Sequence, residues 1–207
     1  VVTAGRTEED IDPVRFITNR STGKMGYALA RRASLRGAAV ELISGPSELD
    51  VPQGVNLVQI RSVAELRKAT EMAFRKADVL IMTAAVLDFR PGMVAKSKIK
   101  KSDAGLELSL VSNEDFLIQL GKEKGDRVVV GFAMETENGE ANARKKLEAK
   151  NLDLIALNNL NVEGAGFAVD TNVVTLIDRE GQTVALPLMS KNEVADQILN
   201  RVTDFLA

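Results

Sequence analysis

Apolar positions recur along the chain in two alternating rhythms. Short β-branched or apolar runs occupy Val1–Ala4, Ala39–Ser44, Asn56–Ile60, Val79–Ala84, Val128–Phe132 and Leu152–Leu157. Between them the spacing predicts helices over Met25–Leu35, Val63–Lys76, Glu114–Lys122, Glu140–Lys150 and Asn192–Phe205. Leu66, Ala69, Ala73 and Ala77 share one face of the second helix; Val194, Ile198, Val202 and Phe205 share one face of the last. Strands that read as unbroken apolar runs, separated by helices, belong to a parallel sheet covered on both faces. Near the end, Val173–Ile177 and Thr183–Leu186 flank Asp178–Gln182, a hairpin with Gly181 in its turn. The predicted fold class is α/β: a three-layer, mainly parallel, Rossmann-like sheet with a late antiparallel hairpin, in one domain over residues 1–207.

In such sheets ligands sit beyond the carboxyl ends of the strands, so the strand-to-helix loops carry the chemistry. Three are unusual. The first runs from Gly5 to Thr22, contains Asp12-Pro-Val-Arg15, and closes on Asn19-Arg-Ser-Thr-Gly-Lys-Met-Gly26 as a helix begins. Ser21 or Thr22 can cap that helix, whose free N–H groups favour an anion; a plain capped helix with Gly26 for close packing is the alternative. A P-loop would need an earlier Gly and a Ser or Thr in place of Met25. No G-x-G-x-x-G follows the first strand, and the second ends in Ser44-Gly45-Pro46 without a ribose-binding acid.

The second loop reads Ala84-Ala-Val-Leu-Asp-Phe-Arg-Pro91 and then carries lysines at 96, 98, 100 and 101. Small residues at a strand end admit a planar ligand to the backbone, and Asp88 beyond them can hold ribose hydroxyls or a cation. Lysines on such a loop can close over a polyphosphate or simply remain solvated; their place at the sheet mouth favours the first. In the third, Asn113-Glu-Asp-Phe116, acids open a helix, which serves capping and ligand contact equally well. Gly131–Thr136 ends another strand with Phe132 in a core-like position, and Lys146 and Lys150 lie four apart, the pattern of a solvated face.

Composition narrows the chemistry. The 207 residues include 45% hydrophobic and 27% charged, an ordinary globular balance able to bury a core. With 27 Lys and Arg against 29 Asp and Glu, the net charge of −2 offers no global field for nucleic acid or an anionic membrane. No segment is apolar enough to span a bilayer, and the first ten residues do not form a signal peptide. With 0 His there is no Ser-His-Asp triad or His-ligated metal; with 0 Cys there is no disulfide, thiolate nucleophile or cysteine-bound metal, which fits the cytoplasm. Carboxylates, amides, lysines and a hard cation held by oxygen remain, the means of phosphoryl and nucleotidyl transfer. Opening on Val-Val-Thr-Ala-Gly5 without Met, the chain reads as a domain of a longer protein.

Taken in order, Asp12-Pro-Val-Arg-Phe-Ile-Thr-Asn19, Ser21-Thr-Gly-Lys-Met-Gly26, Ala84-Ala-Val-Leu-Asp-Phe-Arg90, Lys98-Ile-Lys-Lys101, Gly131-Phe-Ala-Met-Glu-Thr136 and Lys150-Asn-Leu-Asp-Leu154 cover nearly the whole chain. This set resembles the phosphopantothenate–cysteine ligase family. In many bacteria that ligase is the C-terminal half of a bifunctional protein, whose N-terminal half is an FMN-using decarboxylase. The resemblance implies a step of coenzyme A synthesis: 4′-phosphopantothenate, CTP and cysteine become 4′-phosphopantothenoylcysteine, CMP and pyrophosphate, with Mg²⁺. An acyl-cytidylate would be the intermediate, and neither half-reaction obliges a His or a protein thiol.

By resemblance, Asn19 holds the acyl-cytidylate and assists its conversion, and Lys98 meets the nucleotide phosphates. Arg15 and Ala85 match the phosphopantothenate half of the site. Met82, Thr83, Ala84, Asp88, Lys98, Asn113, Glu114, Asp115, Phe116, Phe132, Lys146 and Lys150 match nucleotide-binding positions, with Asp88 on the ribose or cation and the last two lysines near the base. The metal ligands are not indicated. The resemblance also implies a homodimer. The chain departs from the pattern at Arg6, where a second Gly is usual, at the acids of Glu8–Asp10, at Leu87, and at Glu114-Asp-Phe116. A nicotinamide-dependent oxidoreductase and a non-catalytic nucleotide-binding domain on the same fold are the alternatives.

Overall fold

The structure is a computed structural model that describes residues 1–101, 105–135, 138–159 and 166–207. The chain opens with β1 (Val2–Ala4), a hairpin of β2 (Glu8–Asp10) and β3 (Phe16–Thr18), and α1 (Lys24–Leu35). There follow β4 (Val40–Ser44), β5 (Val55–Gln59), α2 (Val63–Phe74), β6 (Val79–Met82), β7 (Phe89–Pro91) and β8 (Leu110–Ser112). Next come α3 (Phe116–Lys122), β9 (Val128–Glu135), α4 (Gly139–Ala149) and β10 (Leu154–Asn159). The last elements are β11 (Thr171–Asn172), β12 (Val174–Asp178), β13 (Thr183–Ala185), β14 (Met189–Ser190) and α5 (Lys191–Leu206).

One sheet joins β13-β12-β10-β9-β6-β1-β4-β5. The six strands from β5 to β10 are parallel, and β12 and β13 add antiparallel at one edge. Counting only the parallel strands, the spatial order is 3-2-1-4-5-6, the doubly wound arrangement. The predicted α/β class and late hairpin are both present, with Thr183 opposite Ile177 and Ala185 opposite Thr175.

The unbroken apolar strands follow from burial on both faces. In β9, Val128 and Val130 join the core beneath α1 and α5, while Val129 and Ala133 join the core beneath α2, α3 and α4. Period-two alternation sends neighbours to opposite layers, so both layers demand apolar residues. Leu29 and Ile198 fill the first core and Leu66 and Ile155 the second, each contributing about 1.5–3 kcal/mol of burial. The β4–β5 crossover has no helix; α1 covers β1 and β4, and α5 lies beside α1 over β9. Asp196 of α5 pairs with both Arg32 and Arg36 of α1 at 2.7 Å. Ser190 and Glu193 form a capping box that starts α5 one residue earlier than the apolar spacing predicted.

The amino ends of β9 and β10 are held by a buried ionic clasp. Asp153, 1% exposed, accepts hydrogen bonds from Lys124 Nζ at 2.7 Å, Arg179 Nη1 at 2.7 Å and the Val129 amide at 2.8 Å. Three short pairings escaped the sequence reading: β2 with β3, β7 with β8, and β11 with β14. Each strand has two or three residues, too few to show a period. The first long loop is therefore largely a hairpin, and the lysine loop is the tip of another.

Candidate functional site

The parallel order reverses between β1 and β6, and the residues just past these two strands build the site. The Ala85 amide donates to Gly5 O at 2.9 Å and Ala85 O accepts from the Thr7 amide at 3.2 Å, so an Arg6–Ala85 bridge prolongs the pairing. Asn19 fastens the first loop to this strand end: its Nδ2 donates to Ala85 O at 2.7 Å and its Oδ1 accepts from the Ser21 amide at 3.1 Å. Thr83 Oγ1 donates to Thr3 O at 2.5 Å, and Thr3 Oγ1 accepts from the Ala84 amide at 3.1 Å. α1 starts directly above, where a Cβ on Gly26 would stand 2.5 Å from Ala4 Cβ and Thr83 Oγ1. Only glycine permits that approach.

A cavity of about 150 Å³ opens here. Residues 21–26, 83–85 and 132–134 line it, together with Asn158, Gly166, Phe167, Asn172 and Lys191. No carboxylate is among them, and two lysines are. The expected Ser21 or Thr22 cap of α1 is not made. The N-cap is Gly23, in the left-handed region at φ 84°, without a side-chain cap bond. Thr22 is diverted because its hydroxyl donates to Phe167 O at 2.6 Å, and the Ser21 hydroxyl accepts only from the Gly23 amide, at 3.4 Å.

Lysines stand at the first positions of both α1 and α5. Lys24 Nζ donates to Ala168 O and pairs with Asp170 Oδ1, each at 2.7 Å. Lys191 is 6% exposed, and its Nζ donates to Gly166 O at 2.8 Å and to Val169 O. Burial pulls the Lys191 ammonium down to about 8, the neighbouring Lys24 charge adds to the fall, and Asp170 opposes it.

Asp12 organises a second part of the site. Its carboxylate accepts from the Val14 and Arg15 amides at 2.8 Å, from Arg15 Nη2 at 2.6 Å and from the Ile99 amide at 3.0 Å. Burial opposes ionisation, but the Arg15 guanidinium and the three amides outweigh it, so this carboxyl lies well below the usual range. Arg15 Nη2 also donates to Ile99 O at 2.6 Å. Arg15 and Asp12 thus clasp the main chain between Lys98 and Lys100. Lys98 itself is exposed, with no ion-pair partner among the described residues.

The structure sorts the predicted residues. Thr83, Ala84, Ala85 and Phe132 line the cavity. Asn19 is bonded to its wall and Arg15 to the lysine loop. Asp88 is exposed and its carbonyl holds the Asn113 amide at 2.8 Å, while Asn113 Nδ2 donates to Leu87 O at 2.9 Å. Met82 and Phe116 have side chains in the core beneath α2, α3 and α4. Glu114 pairs with Arg67 at 2.5 Å, Asp115 with Lys150 at 2.7 Å, and Lys146 with Glu135 at 2.6 Å. The Lys146 bond, against burial and with help from Asn142, holds the Glu135 carboxyl below its ordinary value. Lys146 and Lys150 are therefore ion-paired, where their spacing had suggested a solvated face. Thr136 lies outside the described residues.

The departures find separate uses. Arg6 Nη1 donates to Ser21 O at 3.3 Å. Glu8 and Asp10 pair with Arg61 at 3.0 and 3.2 Å, and Glu9 accepts from the Val63 amide at the start of α2. Lys191, Asn158 and Asn172 are functional candidates that the sequence reading missed. Asn172 Nδ2 donates to Asn158 Oδ1 at 2.9 Å, a pairing between strand ends that no local motif announces. Among the described residues no group of three or more Asp or Glu is placed to hold a metal ion.

The family model for the DNA/pantothenate metabolism flavoprotein C-terminal domain matches residues 1–206. The chain is 50% identical to the coenzyme A biosynthesis bifunctional protein CoaBC of Bacillus subtilis over 203 residues, 98% of this chain and 50% of that protein. It is 43% identical to a cysteine/cysteine sulfinic acid decarboxylase from an unknown prokaryotic organism, over 97% of this chain and 56% of that protein. The chain thus spans about half the length of the curated relatives it matches. The crystal structure of the C-terminal domain of a coenzyme A biosynthesis bifunctional protein CoaBC superposes with a TM-score of 0.85 at 40% identity, covering 99% of this chain and 93% of that one. Sequence, fold and extent agree, and the chain belongs to the DNA/pantothenate metabolism flavoprotein C-terminal domain family.

Proposed function

We propose that this domain ligates 4′-phosphopantothenate to cysteine at the expense of CTP, through an acyl-cytidylate, in coenzyme A biosynthesis. The observation that carries the reading is the cavity at the strand-order reversal, with two lysines and no carboxylate among the described residues of its lining. Such a lining suits a polyanion. At about 150 Å³ it is smaller than a typical ligand pocket, so it would hold the phosphate or ribose portion of the nucleotide. The base then extends toward the Asn113–Phe116 and Lys146–Lys150 rim.

In the first step the substrate carboxylate attacks the α-phosphate of CTP, forming the acyl–phosphate bond and expelling pyrophosphate. In the second, the cysteine amine attacks the acyl carbon, CMP leaves, and the ammonium proton passes to solvent. Lys98 neutralises the phosphates in the first step. Asn19 holds the strand end against the acyl-cytidylate and assists the second. Asp12 and Arg15 set the root of the lysine loop. Mg²⁺, when bound, would supply charge neutralisation at the nucleotide phosphates.

The hairpins β2–β3 and β7–β8 expose Val14, Phe16, Phe89, Met93, Leu108 and Leu110 at 40–85%. Such apolar surface supports a homodimer through this side. An N-terminal FMN-dependent decarboxylase domain in the same chain, and a cytoplasmic location, complete the proposal. Among the described residues no helix is long and apolar enough to cross a membrane. Pyrophosphate release with CTP, Mg²⁺ and 4′-phosphopantothenate, with and without cysteine, tests the activity. Turnover that requires all components and prefers CTP to ATP is expected. Absence of pyrophosphate in every mixture from folded protein refutes the ligase reading.

A further inference from the structure

We propose that Lys191 is an anion-binding residue of the cavity, its ammonium the counter-charge for a nucleotide polyphosphate seated over the adjoining starts of α1 and α5. The proposal rests on the nucleotide reading above and adds to it a residue that lies far from every motif used there.

Lys191 is nearly buried, yet among the described residues no carboxylate stands within 4 Å of its Nζ. Its bonds go to the main-chain oxygens of Gly166 and Val169. Asp170, the acid whose charge it feels, is already paired with Lys24 at 2.7 Å. Both lysines are the first residues of their helices, where the dipole favours an anion and disfavours a cation. Two ammoniums and two helix starts therefore converge where, among the described residues, one carboxylate, Asp170, makes a direct ion pair and Asp50 stands beyond it.

The same chain shows how it treats a buried lysine that serves only the fold. Lys124, 7% exposed, pairs directly with Asp153 at 2.7 Å. Lys191 has no carboxylate in direct contact among the described residues; it stands between the cavity whose described lining has no acid and a neighbouring one that Asp50 and Asp170 line. A buried charge left unpaired is costly, and an entering anion removes that cost. Lys191 also shapes the wall it lines. The carbonyl oxygens of Gly166 and Val169 rest on Lys191, that of Phe167 on Thr22, and that of Ala168 on Lys24. The charge that meets the ligand thus also holds one side of the cavity.

The test is calorimetric titration of the wild type, Lys191→Met and Lys191→Arg with CTP, with ATP, and with cytidine, at pH 7.5 and pH 9. The phosphate charge is constant over this interval, since second phosphate ionisations lie near 6. The charged and titratable groups around Lys191 are Lys24, Tyr27 and Arg31 of α1, Asp50 of the β4–β5 connection, and Asp170. A group titrating at about 8 loses roughly eightfold of its protonated fraction across this interval. Wild-type CTP affinity is expected to weaken by about that factor. Lys191→Met should bind CTP weakly at both pH values, Lys191→Arg should bind it without pH dependence, and cytidine should be indifferent to all three.

Equal CTP affinity in wild type and Lys191→Met overturns the proposal. So does a pH slope that persists in Lys191→Met, which assigns it to another group, or parallel loss of cytidine, which makes the role purely structural. If ATP binds with this Lys191 dependence and CTP does not, the choice of CTP fails while the anion site stands. A wild type that binds neither triphosphate overturns both.

Discussion

Replacing Asp153 by alanine should destabilise the domain severely while leaving its ligand site intact. The carboxylate is 1% exposed and carries three bonds: Lys124 at 2.7 Å, Arg179 at 2.7 Å and the Val129 amide at 2.8 Å. The Arg179 arm counts least, because that side chain is 53% exposed and solvent screens it. Lys124 is 9% exposed at its side chain, so alanine strands a buried ammonium, a loss of about 3–5 kcal/mol. For a domain of this size the melting temperature falls about 2–4 °C per kcal/mol, hence roughly 6–20 °C. Urea unfolding followed by circular dichroism measures the free energy and a thermal melt the temperature. Adding Lys124→Met removes the stranded charge and should restore about 0.5–3 kcal/mol. CTP affinity should not change, because the clasp lies at the amino ends of β9 and β10, opposite the cavity. A loss below about 1 kcal/mol, or a double variant no more stable than the single one, would refute the reasoning.

Asn19→Asp should exchange a donor to Ala85 O for a carboxylate, at a cost of about 0.5–1.5 kcal/mol in stability; quench analysis should show acyl-cytidylate accumulating while product slows, and equal loss of both speaks against the role. Lys98→Gln should suppress the first step on the order of a hundredfold, and unaltered pyrophosphate release contradicts the assignment. Asp12→Ala should free Ile99 from its clasp, so limited proteolysis should cut near the lysine loop faster than in wild type; an unchanged rate means the clasp does not order the loop. Met93→Asp with Leu108→Glu should shift sedimentation from dimer to monomer, and an unaltered dimer places the interface elsewhere.

The sequence made the layered architecture readable because both faces of the sheet are buried. Val128–Val130 must be apolar at every position when alternate side chains enter different cores, and that requirement leaves a run no loop imitates. The three short pairings left no such mark. Asp12 is an instance: its sequence neighbourhood predicts a turn, but its bond to Ile99 spans 87 residues and appears only after folding. The cavity was legible where a strand end and a motif coincide, at Thr83, Ala84, Ala85 and Phe132. It was illegible where a residue's meaning depends on a distant charge. Lys191 after Ser190 reads as an ordinary lysine in a capped first turn; only the folded chain shows that it is buried and, among the described residues, without a carboxylate in direct contact. Lys146 and Lys150 erred the other way, since partners on β9 and before α3 turn an apparent solvent face into two ion pairs.

The place of α5 has a kinetic consequence. α1 covers β1 and β4, but the same face over β9 is covered by α5, and the Arg32–Asp196 contact that joins the two helices closes a separation of 164 residues. Closing so long a loop costs about 4–5 kcal/mol of chain entropy beyond the constant term, before any packing is returned. The flank of α1 that meets α5 therefore stays uncovered until late, while the rest of α1 packs on β1 and β4, and contacts of such separation form slowly. The ligand cavity matures at the same moment, because Lys24 arrives with α1 and Lys191 with α5. Partly folded chains should accordingly have a nearly complete sheet, a sticky flank and no anion site, and ligand should accelerate only the final closing step.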